Sequence, residues 1–285
     1  MLKHDWFDLL VHSTEALESL LGEPLTERKE IHAWPLSVVE LLTTASGFRW
    51  IYKSQHAPTY EPEFYERVRS PLLPDYRLLS RDSTYATILF SYVDAPCLRD
   101  MSLSEAELVH HGQAVVAAIG QIDEAAPVYI DISNQARWRE FVDLTLGMLS
   151  ELVNTEKMLL SVTEGDITDV AAWAESAAVY QLIDRTTRLT HGDLNPGNVF
   201  VTDNGYQVID WQRPQLAPAQ VDLATLLERT PALFRHVAPE AIGVFYFLRL
   251  FWAVNAKTNL LPATKHVFDQ WSSEAIGYIR RAAGG

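Results

Sequence analysis

The sequence contains almost no cysteine. Cys97 is the only one among 285 residues, which excludes an intramolecular disulfide and any zinc site made of several cysteines. A chain of this length buries about three quarters of its unfolded surface, so it can be stable without such cross-links. A single thiol is also compatible with a reducing compartment such as the cytoplasm.

Long apolar runs are missing as well. The N-terminal stretch MLKHDWFDLLVHSTEALESLL carries an acidic residue every few positions and lacks the apolar core of a signal peptide. The most apolar later segment, AIGVFYFLRLFWAVNAK, is interrupted by Arg249 and is too short to cross a bilayer, which predicts a buried core helix. We therefore expect a soluble, cytoplasmic protein with no membrane partner.

Basic residues are scarce relative to acidic ones. The net charge is −14, and because binding to nucleic acid needs a basic face, nucleic acid is excluded as a main partner. The acidic surplus is large between Gln121 and Asp184. It indicates either solvated helix surfaces or a surface that attracts a cationic small molecule, and the sequence leaves both interpretations open.

Strand patterns dominate the first third of the chain. EIHAWPLSVVELLTTASGFRWIYKSQ alternates apolar and polar residues, with turn signals at Pro35 and at residues 45–47. This pattern predicts three short antiparallel strands, the last from Phe48 to Lys53. A helix with Pro62 in its first turn and a strand over YATILFSYV are predicted to follow. The segment before Glu30 is expected to be helical.

Helical periodicity dominates from Ser102 onward. The first helix starts with a Ser-x-x-Glu pattern, either at Ser102 or at Ser104. RWREFVDLTLGMLSELV and DITDVAAWAESAAVYQLIDRTTR are two further predicted helices. The predicted fold class is α+β, with a strand-rich N-terminal lobe of residues 1–93 and a larger helical lobe of residues 94–285.

One polar stretch, THGDLNPGNVFVTDNGYQVIDWQ, interrupts the helical region. NVFVT and YQVID are strand candidates, and Asp203-Asn204-Gly205 between them is a hairpin signal. A turn centred on Asn204 brings Asn198 opposite Asp210 at the open end of the hairpin. Amide and carboxylate oxygens suit Mg²⁺, which binds one or two protein oxygens together with waters and phosphates. Asp193 enters the hairpin and could accept or orient a hydroxyl proton beside such a site.

HGDLNPGN, followed by IDW and then by VDLA, resembles the aminoglycoside phosphotransferase and choline kinase family, small-molecule relatives of the protein kinases. The motif directly covers residues 190–226. The resemblance implies a protein-kinase-like two-lobe fold and an enzyme that transfers the γ-phosphoryl group of ATP to a hydroxyl of a small molecule. Mg²⁺ is the implied cofactor, and the sequence does not distinguish ATP from GTP as the donor.

The resemblance also implies roles for single residues. Asp193 becomes the catalytic base, and Asn198 and Asp210 become the Mg²⁺ ligands. Asp222, which opens DLATLL, matches an acid that supports the catalytic loop, although its position is also typical of a helix N-cap. His191 matches a residue that packs beneath the loop, and we expect that structural role.

The nucleotide is expected on the N-terminal lobe. Lys53 matches the lysine that contacts the α- and β-phosphates in this fold. Glu61 has the family spacing of its acidic partner, and Glu63 and Glu66 are alternatives that the sequence leaves open.

The adenine is expected against the backbone of the connection between the lobes, around Phe90 and Tyr92. The loop expected to cover the phosphates, AWPLSVVE, contains no glycine, although glycine allows a backbone to approach phosphate closely. Ser37 could donate a hydrogen bond there instead. The missing glycine supports an alternative function, that of a catalytically degenerate kinase-like module that binds a nucleotide or a partner protein.

The acceptor pocket of the family lies among helices of the larger lobe, here residues 137–184 and the C-terminal helices. The acidic surplus favours a small cationic acceptor with a hydroxyl group, such as an aminoglycoside or an amino alcohol. Trp138, Trp173 and Trp252 could face an ammonium group, although tryptophan is more often a packing residue. The sequence does not determine the oligomeric state.

Overall fold

The computed structural model describes residues 1–122, 125–155, 162–261 and 267–283. Its strands are β1 Leu2–Lys3, β2 Leu10–Val11, β3 Leu25–Trp34, β4 Ser37–Thr44, β5 Arg49–His56, β6 Tyr76–Arg81, β7 Tyr85–Ser91, β8 Ile130–Asp131, β9 Thr187–Thr190, β10 Val199–Thr202, β11 Gly205–Val208 and β12 Gln215–Pro218. Its α-helices are α1 Thr14–Leu21, α2 Glu61–Arg67, α3 Glu105–Ile119, α4 Gln135–Asn154, α5 Glu164–Ala174, α6 Ala177–Thr186, α7 Gln220–Leu227, α8 Pro239–Asn255 and α9 Val267–Ala283.

The chain forms two compact units. The first contains residues 1–101, 125–129 and 196–213, and the second contains the other described residues. The hairpin of β10 and β11 therefore belongs to the first unit although it follows much of the helical region in sequence. The lobe boundary between residues 93 and 94 stays a prediction.

The first unit is built on an antiparallel five-stranded sheet with the order β3-β4-β5-β7-β6. The three predicted N-terminal strands and their turns are confirmed as β3, β4 and β5, and Pro62 lies in the first turn of α2 as expected. Strand β6 was not predicted from the sequence. This strand lies at the edge of the sheet and carries Arg77 and Arg81, and charged residues on an edge strand blur the alternation that would reveal it.

The N-terminal segment is only partly helical, so the prediction for it was wrong in part. Residues 1–13 contain the short β1–β2 pair, and α1 begins at Thr14. Ser13 sets this boundary because its side chain accepts a hydrogen bond from the Ala16 amide, which caps the helix. Leu9 and Leu17 then pack with Tyr52 of β5 in the hydrophobic core under the sheet.

The hairpin of β10 and β11 differs from its predicted register by one residue. Its turn is centred between Asp203 and Asn204, so Val199 pairs with Val208. The physical reason is that Gly205, with φ of 118°, is already the first residue of β11. Ile209, rather than Asp210, therefore lies opposite Asn198, and its amide donates to the Asn198 carbonyl oxygen at 3.0 Å.

The second unit combines a three-stranded sheet, with the order β8-β12-β9, and the helices from α3 onward. The helix start at Ser104 is the correct one of the two alternatives, since Ser104 and Glu107 form a capping box. The predicted helix over residues 166–188 is two helices, α5 and α6. Ser176 separates them because its hydroxyl caps α6 by accepting from the Val179 amide.

The core of the second unit is aromatic. Trp138 and Trp173 are buried, meet edge to face, and both pack against Phe247 of α8. Trp252 is half-buried against a cluster around Phe268. The packing interpretation of Trp138 and Trp173 is confirmed, as is the prediction that α8 is a buried core helix. Within the described residues, no helix is both long and apolar enough to span a membrane.

The close approach of α8 to Trp173 gives a stability prediction. A Cβ atom added at Gly243 would lie 2.3 Å from Cζ2 of the buried Trp173 ring. We expect Gly243→Ala to lower the free energy of unfolding by about 1–3 kcal/mol through overpacking, which exceeds the gain of up to about 1 kcal/mol in helix propensity. Urea denaturation measures the change.

Gly147→Ala is the matched control. Gly147 lies inside α4, and a Cβ atom there meets nothing within 4 Å. This variant should be as stable as the wild type or more stable by up to about 1 kcal/mol. Equal stability of Gly243→Ala and the wild type would show that Trp173 can move aside.

Candidate active site

A buried lysine lies between two carboxylates in the first unit. Lys53 is on β5, Glu61 is the first residue of α2, and Asp210 follows β11. Lys53 Nζ lies 2.6 Å from Glu61 Oε2 and 2.5 Å from Asp210 Oδ1. Lys53 and Glu61, which are eight residues apart, and Asp210, which is 157 residues beyond Lys53, thus form one charged cluster. All three were singled out from the sequence.

The alternatives to Glu61 point elsewhere. Glu63 forms an ion pair with Arg67 one helical turn away, and both Glu63 and Glu66 contact Arg81 of β6. Glu61 is 1% exposed. Among the three acids that the sequence left open, Glu61 is therefore the one that contacts Lys53.

Burial and charge act in opposite directions on this cluster. Burial alone lowers the pKa of Lys53, but attraction to Asp210 and Glu61 more than offsets it, and the pKa lies above its ordinary value. One ammonium cannot fully compensate two carboxylates. The more deeply buried of them, Glu61, has a raised pKa because of burial, an effect that Lys53 opposes and Asp210 reinforces.

The backbone at Asp210 is unusual. Asp210 has a φ of 72° and is the only non-glycine residue with positive φ among the described residues. Asp tolerates this conformation better than most residues do, and residues in it cluster at functional sites. The next residue, Trp211, is fully buried and stacks on Phe64 of α2 with ring centroids 4.3 Å apart. This packing anchors the segment that carries the Asp210 carboxylate next to the helix that carries Glu61.

Phe90 and Tyr92 have different environments. Phe90 is buried on β7, and its ring centroid lies 4.9 Å from that of Tyr65. Tyr92, just beyond β7, is partly exposed, and the guanidinium of Arg49 lies over its ring. The adenine contact expected of the backbone here stays a prediction.

The glycine-free loop is a tight turn. Trp34 ends β3 and pairs with Ser37, so only Pro35 and Leu36 lie between the strands. The indole N–H of Trp34 donates to the Ser37 hydroxyl oxygen at 2.6 Å, and Ser37 is buried. The turn is therefore pinned by a side-chain hydrogen bond.

The second unit contains the predicted site residues His191, Asp193 and Asp222, whereas Asn198 lies in the first unit. The Asp222 carboxylate accepts hydrogen bonds from the backbone amides of His191, at 2.7 Å, and Gly192, at 3.1 Å. Gly192 has φ of 80°, which an L side chain rarely adopts. His191 is fully buried, and its Nδ1 accepts from the Asp193 amide at 3.2 Å. These contacts fix the loop, while Asp193 itself is exposed.

Asp222 lies in the first turn of α7 but does not cap it. The N-cap is Ala219, and the Asp222 carboxylate is directed to the loop instead. Burial raises the pKa of Asp222 to about 7, although the two backbone hydrogen bonds oppose the shift. The N-cap interpretation of this residue was wrong because the tertiary contact uses the side chain.

The match to a family model decides the classification. The model for the phosphotransferase enzyme family matches residues 54–251, which is more than half of the chain. The chain belongs to the phosphotransferase enzyme family. It is thus a small-molecule kinase, as the motif in residues 190–226 predicted.

Similar solved structures agree on the fold of this phosphotransferase. A thermostable mutant of aminoglycoside phosphotransferase APH(4)-Ia, in ternary complex with ADP and hygromycin B, has a TM-score of 0.64 at 14% identity, with 96% of this chain and 100% of that chain covered. A putative fructosamine-3-kinase from Thermobifida fusca has a TM-score of 0.59 at 17% identity, with 95% and 98% covered. A choline/ethanolamine kinase family protein from Mesorhizobium loti has a TM-score of 0.58 at 14% identity, with 95% and 91% covered.

These likenesses confirm the predicted α+β, protein-kinase-like fold. No curated protein sequence matches the chain.

Two residues of the Lys53 cluster escaped sequence analysis. Gln55 and Tyr65 are each 1% exposed and lie on the elements that carry Lys53 and Glu61. Their positions could have been inferred, since Gln55 is two residues after Lys53 on a strand and Tyr65 is four residues after Glu61 on a helix. Nothing in the local sequence indicated that their polar atoms would be buried.

The raised pKa of Asp222 gives a pH-dependent stability prediction. Its pKa is about 7 in the folded protein against an ordinary value of 3.8, so the native state keeps a proton between these pH values that the unfolded chain releases. The free energy of unfolding should therefore fall as the pH rises from about 4 to 7, by roughly 4 kcal/mol from this group. Asp222→Asn should flatten this dependence in urea denaturation between pH 5 and 8.

Asp203→Asn, at the exposed turn of the hairpin, is the control and should keep the pH dependence of the wild type. An unchanged slope in Asp222→Asn would contradict the assignment of the effect to Asp222.

Proposed function

We propose that this phosphotransferase transfers the γ-phosphoryl group of ATP, in a Mg²⁺-dependent reaction, to a hydroxyl of a small cationic molecule. The observation that carries the proposal is the buried Lys53, held by Glu61 and Asp210 at 2.6 Å and 2.5 Å. In this role Lys53 contacts the α- and β-phosphates, and Glu61 keeps its ammonium in place. GTP is an equally possible donor on these contacts.

Asp210 and Asn198 would hold the Mg²⁺. The residues fit the ion because Asp210 offers a partly exposed carboxylate, 33% accessible, next to the buried cluster. Asn198 is at the open end of the hairpin, where its backbone pairs with Ile209. When bound, Mg²⁺ neutralises charge on the phosphates and orients them for transfer. Such a site needs few protein ligands, because phosphates and waters supply the rest.

Asp193 would orient the acceptor hydroxyl and accept its proton. Its exposed side chain extends from a loop whose backbone is fixed by Asp222 and by His191. A fixed loop favours catalysis because the acceptor oxygen must be held in line with the transferred group. His191 and Asp222 are therefore positioning residues in this proposal.

A cationic acceptor is supported by charge and by similarity. Within the acidic stretch, Asp131 forms an ion pair with Arg137, and Arg280 contacts two acids of α5. Glu140, Asp143 and Glu151 of α4 are exposed. The acidic stretch also includes residues 123, 124 and 156–161, which lie outside the described residues. Hygromycin B, fructosamine, choline and ethanolamine, which the names of similar structures mention, all combine hydroxyl groups with a nitrogen that is cationic near neutral pH.

The pinned turn favours a second candidate function. A turn of Pro35 and Leu36, locked by the Trp34–Ser37 hydrogen bond, contains no glycine to admit a phosphate close to the backbone. A kinase-like module that binds a nucleotide or a partner without turnover would have this feature. The intact set of Lys53, Asp193, Asn198 and Asp210 opposes it.

Calorimetry of nucleotide binding tests the metal site. Wild type should bind ADP much more tightly with Mg²⁺ than without, because Asp210 would hold the ion and the ion would offset the charge of the phosphates. Asp210→Asn should lose most of this Mg²⁺-dependent gain, at least tenfold in Kd. Asp203→Asn, seven residues earlier in the same hairpin region, should behave as wild type. An equal Kd of the wild type for ADP with and without Mg²⁺ would refute the metal assignment.

Turnover tests Asp193. Asp193→Asn should reduce phosphoryl transfer to amino alcohols and aminoglycosides by about 10²–10⁴-fold, the usual contribution of a general base. Its affinity for Mg·ADP should stay within about twofold of wild type, since the residue contacts the acceptor rather than the nucleotide. Full activity of Asp193→Asn would remove Asp193 from catalysis. A wild type that binds Mg·ADP but transfers phosphate to no acceptor would favour the second candidate.

A further inference from the structure

Three buried polar atoms around Glu61 make no hydrogen bond within the described residues. They are Nε2 of Gln55, Oε2 of Glu61 and the hydroxyl oxygen of Tyr65. Glu61 Oε2 lies 2.6 Å from Lys53 Nζ. The two atoms form an ion pair, but their angles are not those of a hydrogen bond. Buried polar groups without a partner are rare in folded proteins and call for an explanation.

Tyr65 and Glu61 are both buried residues of α2. The two residues are four apart on α2 and so share one face of the helix. The Tyr65 ring is fixed by Phe90 and Tyr76, with centroids 4.9 Å and 5.2 Å away. Burial raises the pKa of Tyr65 well above its ordinary value, and the charges of Glu61 and Asp210 raise it further. The hydroxyl therefore stays protonated and can act as a hydrogen-bond donor.

Gln55 reaches Glu61 from the sheet. It is two residues after Lys53 on β5, so both side chains lie on the same face of the strand. Its Oε1 accepts from the Thr59 hydroxyl at 3.0 Å, which orients the amide and leaves Nε2 as a donor. The amide lies near enough to the Glu61 carboxylate to lower its pKa, although Nε2 makes no hydrogen bond of good geometry to it.

We infer that Tyr65 is a positioning residue whose hydroxyl donates to Glu61 when Lys53 turns toward the nucleotide phosphates, with Gln55 as the second donor. This inference rests on the proposed function. When the Lys53 ammonium donates hydrogen bonds to phosphate, it stabilises the Glu61 carboxylate less. A buried carboxylate then needs other hydrogen-bond donors to stay ionised. An ionised, fixed Glu61 in turn keeps Lys53 directed at the phosphates.

Tyr65→Phe tests the inference because it removes only the hydroxyl and keeps the ring contacts. Its Kd for Mg·ADP, measured by calorimetry, should rise about tenfold to a hundredfold, the effect of one hydrogen bond to a charged group. Its thermal midpoint without nucleotide should not fall, because the hydroxyl has no partner to lose there. Tyr76→Phe, in the same aromatic cluster, is the matched control and should bind as wild type.

A double-mutant cycle with Glu61→Ala separates positioning from packing. If Tyr65 acts through Glu61, Tyr65→Phe should have no effect on Mg·ADP affinity in the Glu61→Ala background. A purely structural hydroxyl would give the same loss in both backgrounds and a lower thermal midpoint.

Wild-type affinity of Tyr65→Phe, or an undiminished loss in the Glu61→Ala background, would overturn the inference alone. A wild type that binds no Mg·ADP would instead refute the proposed function, and the inference would fall with it.

Discussion

The buried ammonium of Lys53 is the constraint on which the first unit depends. A charge this far from water is tolerated only if opposite charge compensates it, because desolvation of an unpaired ion costs several kcal/mol. Glu61 and Asp210 supply that charge from two other elements, so β5, α2 and the end of the β10–β11 hairpin must meet. The ammonium of Lys53 thus holds the sheet, α2 and the hairpin together through its two ion pairs.

Neighbouring packing makes this cluster rigid. The stacking of Trp211 on Phe64 joins the Asp210 segment to α2, and Tyr65 continues the aromatic contact to Phe90 of the sheet. The positive φ of Asp210 persists because the surrounding packing determines it. A rigid pair of carboxylates suits phosphoryl transfer, in which positioning and charge do most of the work.

Each unit stabilises a buried carboxylate in a different way. In the first, Glu61 faces a cation; in the second, Asp222 faces the backbone amides of His191 and Gly192. Burial raises the pKa of both carboxylates: Lys53 opposes the shift at Glu61, and the two backbone amides oppose it at Asp222, whose pKa is still about 7. Through these contacts Asp222 fixes the backbone that precedes Asp193.

Much of the fold was predictable because local patterns agree with it. The alternation of β3, β4 and β5, the Ser104 capping box and the apolar α8 each specify their element through short-range periodicity. Local rules failed where a single residue decides a boundary. Gly205 shifted the hairpin by one residue, Ser176 split a predicted helix, and Ser13 started α1 after a non-helical segment.

By itself the sequence determined the family, since HGDLNPGN and IDW keep the residue types and spacing of phosphoryl-transfer chemistry within one short stretch. It also determined which residues are candidates for the site. Only the tertiary structure decided that Glu61, rather than Glu63 or Glu66, contacts Lys53, and that Asp222 binds a loop instead of capping its helix. The physical reason is that burial and charge compensation depend on elements far apart in sequence, and no local pattern records which side chains those elements bring together.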